Sequence, residues 1–168
     1  MSGAAPLYIH SSSSNMIAAS YMSATNGYAA HIENSANYNT IILSTMISAN
    51  TDSGALYLYR VSSATILNSY MQASTAAYIM GSTGTIIGAS VLIATNTVGS
   101  AVWVDSGSVN LTLTSSTLKG GAQGAGLHMM RNNSGFITVT SNTITGGRWG
   151  VSIATMTCGA CNGNLSIT

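Results

Sequence analysis

Short apolar runs, interrupted by serine, threonine, asparagine and glycine, recur at regular spacing along the chain. Six octets with an apolar first residue align with one another: IAASYMSA (17–24), ILSTMISA (42–49), ILNSYMQA (66–73), IGASVLIA (87–94), LTSSTLKG (113–120) and VTSNTITG (139–146). A truncated seventh, LSIT, occupies 165–168. Successive octets begin 21 to 26 residues apart. A repeat of this length indicates a solenoid, in which each repeat packs on its neighbours.

A second series of tetrads runs in phase with the octets. Its members are LYIH (7–10), AHIE (30–33), LYLY (56–59), AYIM (77–80), VWVD (102–105), LHMM (127–130) and VSIA (151–154). Small or aliphatic residues occupy the first and third places of each tetrad, which is the period-two alternation of a half-buried strand. We therefore expect two strands per repeat, joined by corners rich in Gly, Ser and Asn, and no substantial α-helix.

Over nearly its whole length the chain resembles a right-handed parallel β-helix of the pectate-lyase-like or tailspike-like kind. The resemblance implies one all-β domain, residues 1–168, of about seven rungs with incomplete first and last rungs. The right-handed sense follows from the rule for parallel crossover connections. Each strand is expected to hydrogen-bond to the rungs above and below it, about 4.8 Å away.

The alignment predicts two inward columns of stacked apolar side chains. The octets contribute Ile17, Ile42, Ile66, Ile87, Leu113, Val139 and Leu165. The tetrads contribute Ile9, Ile32, Leu58, Ile79, Val104, Met129 and Ile153. At the octet corner, Ser44 is expected to stack with Asn68, Ser115 and Ser141, where short polar side chains can bind the turning backbone.

The outward residues carry the functional information, because packing inside the coil does not dictate them. Those of the tetrads are mostly aromatic or imidazole rings: Tyr8, His31, Tyr57, Tyr78, Trp103 and His128, with Tyr59 in the flanking column. Those predicted for the octets include Ile41, Leu43, Leu67 and Tyr70, besides Met46. Apolar surface on several faces at once marks an interaction surface, so we expect lateral contacts between subunits. The alternative is a glycan platform, because aromatic rings pack on the apolar faces of sugars.

Charged residues make up only 4% of the chain, and the net charge is +1. This balance argues against nucleic acid or an anionic membrane surface as a partner. Polar residues interrupt every apolar run before it reaches the length of a membrane-spanning helix, so membrane insertion is not expected. The first residues lack the pattern of a signal peptide. We nevertheless expect an extracellular location or one at a cell or virion surface.

The three acidic residues are Glu33, Asp52 and Asp105. A two-carboxylate glycosidase needs its acids about 5 to 10 Å apart, whereas Glu33 and Asp105 are expected three rungs, about 14 Å, apart. The acidic and basic motifs of pectate lyases and polygalacturonases are missing. We therefore expect no catalytic residues, no enzymatic activity and no cofactor.

The two cysteines, Cys158 and Cys161, lie in the small-residue segment TCGAC. They could form a local disulfide or remain two idle thiols. Zinc would require two further ligands, and the three histidines are far away in the sequence, so no metal site is expected.

The first tetrad and the last octet are incomplete repeats that complement each other. We expect head-to-tail stacking through Leu7, Tyr8, Ile9 and His10 at one end and Leu165, Ser166, Ile167 and Thr168 at the other. Such a contact is heterologous and propagates as an open filament unless it closes into a ring. The expected function is a self-assembling structural subunit of a filament, sheath or tube. The alternative is a carbohydrate-binding spike or adhesin module.

Overall fold

Short parallel strands stack from turn to turn and form an all-β solenoid of about six turns, close to the predicted seven rungs. The computed structural model describes residues 5–130, 133–153 and 165–167, and within them there is no helix. Every strand pairing is parallel and joins equivalent segments of successive turns. The predicted parallel β-helix is therefore confirmed.

The strands form three sheets, which we call A, B and C. Sheet A contains β1 (Leu7–His10), β4 (Ala30–Glu33), β7 (Gly54–Tyr59), β10 (Thr75–Met80), β13 (Val102–Asp105), β16 (Ala125–Met129) and β19 (Trp149–Ile153). Sheet B contains β2 (Met16–Ala18), β5 (Thr40–Ile42), β8 (Thr65–Leu67), β11 (Ile86–Gly88), β14 (Val109–Thr114), β17 (Ser134–Thr140) and β20 (Leu165–Ile167). Sheet C contains β3 (Tyr21–Ala24), β6 (Thr45–Ser48), β9 (Tyr70–Ala73), β12 (Val91–Ala94), β15 (Thr117–Lys119) and β18 (Thr143–Thr145).

Each complete turn thus has three strands rather than the predicted two, because the octet bends in its middle. The residue at the bend has a left-handed backbone in every octet, with φ between 47° and 54°. These residues are Ala19, Leu43, Asn68, Ala89, Ser115 and Ser141. One left-handed residue turns the chain by a corner, and a new strand starts two positions later.

A ladder of short polar side chains holds this corner. Each backbone N–H of Ser20, Ser44, Ser69 and Ser90 donates to the serine Oγ of the next turn, at 3.1 to 3.2 Å. The N–H of Ser116 donates to Asn142 Oδ1 at 2.8 Å. Each serine Oγ in turn donates to the carbonyl two residues earlier, as Ser69 does to Leu67. Because the bend interrupts the strand, it leaves backbone N–H and C=O groups without strand partners. The serine ladder provides hydrogen bonds for these groups.

The register corrects the predicted octet at 42–49, which begins one residue too late. Ile41, not Ile42, pairs with Ile17 and Ile66. Ile41 is fully buried, whereas Ile42 is half-buried on the opposite side of the sheet beside Leu67. The predictions that Ile42 shares a face with Ile66 and that Ile41 points outward were therefore wrong.

The same shift changes two further assignments, and a separate offset of two residues changes one at the end of sheet B. Met46, predicted outward, is buried, and Thr45 takes its place opposite Tyr70. Ser44 stacks with Ser69 rather than with Asn68. At the end of sheet B, Ile167 rather than Leu165 pairs with Val139.

The tetrad columns have the predicted register throughout. Ile9, Ile32, Leu58, Ile79, Val104, Met129 and Ile153 follow one another in sheet A. All of them except Ile153, which is 49% exposed in the last described strand of sheet A, join the octet column and a third column, Met22, Met46, Met71, Leu92 and Leu118, in one continuous core. Because these residues point into the core, the alternate residues of each strand of sheet A point to its outer face.

The corrected register can be tested with a matched pair of substitutions. Ile41→Ala should lower the free energy of unfolding by about 2 to 5 kcal/mol, because it leaves a cavity among buried neighbours. Ile42→Ala removes the same atoms from the half-buried side and should cost clearly less. Urea unfolding followed by circular dichroism measures both. A larger loss for Ile42→Ala than for Ile41→Ala would contradict the register.

Candidate functional site

The outer face of sheet A carries one ring per turn over six successive turns. We call Tyr8, His31, Tyr57, Tyr78, Trp103 and His128 the aromatic strip. Each pairs in register with the next, and Ser152 follows His128. The structure thus brings these predicted residues together in a single column, because alternation along each strand places them opposite the core.

The rings of the strip contact one another continuously. The distances between successive ring centroids, from Tyr8 to His128, are 5.2, 4.8, 6.4, 6.2 and 4.5 Å. Most of these contacts are tilted or edge-to-face, which are the arrangements that aromatic pairs prefer. Tyr8 is 54% exposed, and the other five rings are half-buried. The strip is therefore a self-packed surface with one side toward solvent.

Gly54 provides room for this packing. A Cβ atom at this position would lie 2.9 Å from Cδ2 of Tyr78 and 3.0 Å from the carbonyl oxygen of Thr75. The absence of a side chain at Gly54 lets the ring of Tyr78 lie close to the backbone of the neighbouring turn.

Sequence reasoning missed Tyr28, which belongs to the site. It lies in the turn before β4, and its ring stacks on Tyr57 at 4.5 Å with an interplanar angle of 15°. It also meets His31 and Tyr78 edge to face. Because Tyr28 is outside the alternating tetrads, no periodicity could have identified it. Burial raises its pKa to about 12, with smaller contributions from Tyr57 and Tyr78.

A second outward column of sheet A borders the strip and contains its polar groups. It runs through His10, Glu33, Tyr59, Met80 and Asp105. Tyr59 stacks on Tyr57 at 6.1 Å. The guanidinium of Arg60 lies 4.8 Å from the centre of the Tyr59 ring, a cation–π contact.

The side chains of Tyr8, His10 and His31 converge on Glu33. We call these four residues the Glu33 cluster. The hydroxyl of Tyr8 donates to Glu33 Oε1 at 2.5 Å. His10 Nδ1 lies 3.2 Å from the same oxygen, and His31 Nε2 lies 3.1 Å from Oε2. One carboxylate therefore binds groups from two neighbouring turns.

The electrostatics of the cluster favour an ionised carboxylate beside neutral imidazole. Hydrogen bonding from Tyr8, with help from both histidines, lowers the pKa of Glu33. Burial lowers the pKa of His31, and Glu33 only partly opposes this effect. At the other end of the strip, burial also lowers the pKa of His128, whose Nε2 lies 3.0 Å from the sulfur of Met130.

The carboxylates of this face do not form a pair. Glu33 and Asp105 occupy one column with Tyr59 and Met80 between them, so their backbones are about 14 Å apart at the spacing of the turns. Among the residues that the structure describes, no group of three or more His, Cys, Asp or Glu side chains is arranged to hold a metal ion. The arrangement suits contact and binding rather than a two-carboxylate reaction.

The outer faces of sheets B and C form a second surface, which we call the B–C wall. Leu43 is 62% exposed there, and Leu67 and Tyr70 are half-buried. Met16, Tyr21, Ile86 and Val91 are exposed on the same wall. In the fifth and sixth turns the equivalent positions mostly hold hydroxyl residues, namely Thr112, Thr114, Thr117, Thr138, Thr140 and Thr143, and Lys119 takes the position of Ile93. The apolar part thus lies mainly in the first four turns, and Phe136 of β17, which is 63% exposed, is an exception in the sixth turn.

Some predicted residues lie outside the described ones. These are Cys158 and Cys161, for which a disulfide was one alternative, and Thr168. For Leu165 and Ser166 the structure gives their strand and register alone.

No known protein family matches this chain. No curated protein matches its sequence either. No helix of the described residues is long and apolar enough to cross a membrane.

The raised pKa of the half-buried Tyr28 should make the stability of the fold depend on pH in the alkaline range. The pKa of Tyr28 is raised to about 12. Its contribution to the free energy of unfolding is therefore fully present below the ordinary pKa of 10 and is lost as the pH rises toward 12. Tyr28→Phe should therefore reduce the fall in stability between pH 9.5 and 11.5, measured by thermal unfolding. Ultraviolet titration should also show one tyrosinate fewer in the late step. Tyr38→Phe, at a residue that is 64% exposed, controls for the loss of a hydroxyl elsewhere, and an unchanged profile for Tyr28→Phe would contradict the assignment.

Proposed function

We propose that this chain is a self-assembling structural subunit of a filament, sheath or tube, outside the cell or at a cell or virion surface. The observation that carries the proposal is the B–C wall of the first four turns. Its outward strand residues are Met16, Ala18, Tyr21, Ser23, Thr40, Ile42, Thr45, Ile47, Thr65, Leu67, Tyr70, Gln72, Ile86, Gly88, Val91 and Ile93. None of them is charged.

A second copy of the chain is the partner that fits this wall. Burying a charged surface costs desolvation energy, whereas this wall has no charge to desolvate. Large aliphatic and aromatic side chains contribute most when buried at an interface. A chain with 4% charged residues also has little like-charge repulsion between copies.

The ends of the sheets support axial contacts. Within the described residues, β1, β2 and β3 each have a hydrogen-bonded neighbour on one side alone, and so do β19, β20 and β18. Open strand edges are templates for pairing with another chain. β1 and β20 belong to different sheets, so the expected succession of Leu7–His10 after the last octet would be a succession along the coil and not a pairing of these two strands. In a head-to-tail stack β1 would pair with β19 of the next copy, and β2 with β20.

Assembly can be tested with charge substitutions on the wall. The purified chain should form elongated particles in electron micrographs, with a fibre reflection near 4.8 Å along the axis. Ile86→Lys should raise the concentration needed for assembly by about tenfold or more, which corresponds to about 1.4 kcal/mol per contact. Thr117→Lys places the same charge on the hydroxyl part of the wall, in the internal strand β15 opposite Val91, and should have little effect.

Two results would overturn this proposal. One is a wild-type chain that stays monomeric at high concentration. The other is an equal effect of both lysine substitutions, since the apolar turns would then have no special role.

The aromatic strip favours a second candidate function, the binding of glycans. Its rings form an unbroken surface over six turns, and hydrogen-bonding groups lie beside it at Glu33, Asp105 and Arg60. Sugar rings pack on aromatic faces, while polar neighbours orient their hydroxyls.

Glycan binding can be tested by comparing substitutions of two tryptophans. Trp103→Ala, within the strip, should abolish saturable binding on a glycan array. Trp149→Ala should preserve it, because Trp149 is 43% exposed and stacks with Arg148 outside the strip. If the wild-type chain binds no glycan on the array, or if both substitutions act alike, the strip is not a sugar platform.

A further inference from the structure

The Glu33 cluster joins the terminal strand of sheet A to the rest of the solenoid. Tyr8 and His10 belong to β1, and His31 and Glu33 belong to β4. Three contacts of 2.5 to 3.3 Å run between polar atoms of these two turns or within β1. A fourth, between Asn34 Nδ2 and His10 Nδ1, measures 3.4 Å. Elsewhere on the outer face of sheet A, the described turns meet through rings and show no side-chain hydrogen bond from turn to turn.

The position of β1 gives this cluster its importance. Within the described residues β1 pairs with one strand, β4. The backbone groups along its other edge therefore have no hydrogen bonds to a neighbouring described strand. Its apolar anchors are Ile9, which is 7% exposed, and the half-buried Leu7. A four-residue edge strand with so little burial is near the low-stability end of a fold. The polar contacts on its outer side therefore decide how firmly it is held.

We propose that the Glu33 cluster is an acid-sensitive latch, which holds β1 on β4 near neutral pH and releases it on acidification. Near neutral pH the carboxylate accepts from the Tyr8 hydroxyl and from one N–H of each imidazole. On acidification the half-buried His31 gains charge, and the carboxylate then takes a proton and loses acceptor capacity. The released strand no longer offers an ordered edge to a second copy. This last consequence rests on the proposed assembly, whereas the latch itself does not.

The groups that face Glu33 come from four segments. β1 contributes Tyr8 and His10, and β4, the strand of Glu33 itself, contributes His31. The turn before β4 contributes Tyr28, whose ring contacts His31. The next turn contributes Tyr57 and Tyr59, with Arg60 lying over Tyr59. Protonated His31 would thus be enclosed by tyrosine rings from both neighbouring turns.

The pKa directions give the pH range of release. His31 has a pKa below its ordinary value of 6.5, so its contribution is present above pH 6.5 and is lost as the pH falls through the lowered value. Glu33 has a pKa below 4.5, and its contribution is lost in the same sense below pH 4.5. Release therefore begins below pH 6.5 and continues below pH 4.5, as the pH falls through the lowered pKa of Glu33. Since Glu33, Asp52 and Asp105 are the only acidic side chains of the chain, few other groups respond in the lower part of this range.

Hydrogen exchange measured by mass spectrometry tests the latch on the monomeric chain. The peptide that covers 7–18 should lose protection progressively between pH 7.5 and pH 3, after correction for intrinsic exchange, because both the His31 and the Glu33 contributions are lost as the pH falls. The peptide that covers 77–88, from the middle of sheet A, serves as internal reference and should keep its protection.

Two carboxylate substitutions separate the latch from a general acid effect. In Glu33→Gln the step below pH 4.5 should disappear, and the loss should be confined to the range in which histidine titrates. Asp105→Asn removes a carboxylate from the same column three turns away, and it should leave the profile of the 7–18 peptide unchanged.

The outcomes distinguish the latch from the assembly. Unchanged protection of 7–18 across the pH range, or a step below pH 4.5 that persists in Glu33→Gln, overturns the latch even if filaments form. A pH-dependent 7–18 peptide in a chain that never assembles supports the latch and rejects the proposed function. If both are right, filaments formed at pH 7.5 should shorten or dissolve at pH 4, and Asp105→Asn filaments should do the same.

Discussion

Backbone hydrogen bonding between equivalent segments of successive turns is the constraint on which the rest of this molecule depends. A parallel strand satisfies its amides and carbonyls when the same segment lies above and below it. Identical positions therefore stack, and each column must hold side chains that fit on top of one another. The column Ile17, Ile41, Ile66, Ile87 and the ladder Ser20, Ser44, Ser69, Ser90 are two results of this one requirement. The aromatic strip is a third, on the side where no core dictates the residue type.

The sequence was sufficient for the fold class, the tetrad register and the column of rings. It failed by one residue at the second octet, because Ile41 and Ile42 are both isoleucine and hydrophobicity cannot distinguish them. The polar position does distinguish them: aligning Ser44 with Ser20 and Ser69 requires the octet to begin at Ile41. The third strand of each turn was also missed, since it depends on a left-handed backbone at ordinary residues such as Leu43 and Ala89. Side-chain preference alone gives little warning of such a bend.

The candidate site was partly predictable for the same reason. Alternation determines which residues of β4 and β7 point outward, but it says nothing about turn residues such as Tyr28. The convergence on Glu33 was also beyond the sequence. His10 and Glu33 are 23 residues apart, and their contact requires the register of β1 on β4 together with the side-chain conformations. The chain as a whole thus has few charged residues, yet the side chains of His10 and His31 both contact that of Glu33 in a single cluster.

The spacing between the third and fourth octets, 21 residues from Ile66 to Ile87, is shorter than the 26 from Ile87 to Leu113, yet the strands of these turns remain in register. The difference is absorbed in the turns between strands, which face outward and carry little of the core. Since each turn contacts only those next to it, a gene could gain or lose a whole turn by duplication or deletion without disturbing the remaining columns. Such a change would alter the number of rings in the strip by one and leave its pitch unchanged. Length is therefore a heritable variable of this architecture that can evolve separately from its surface chemistry.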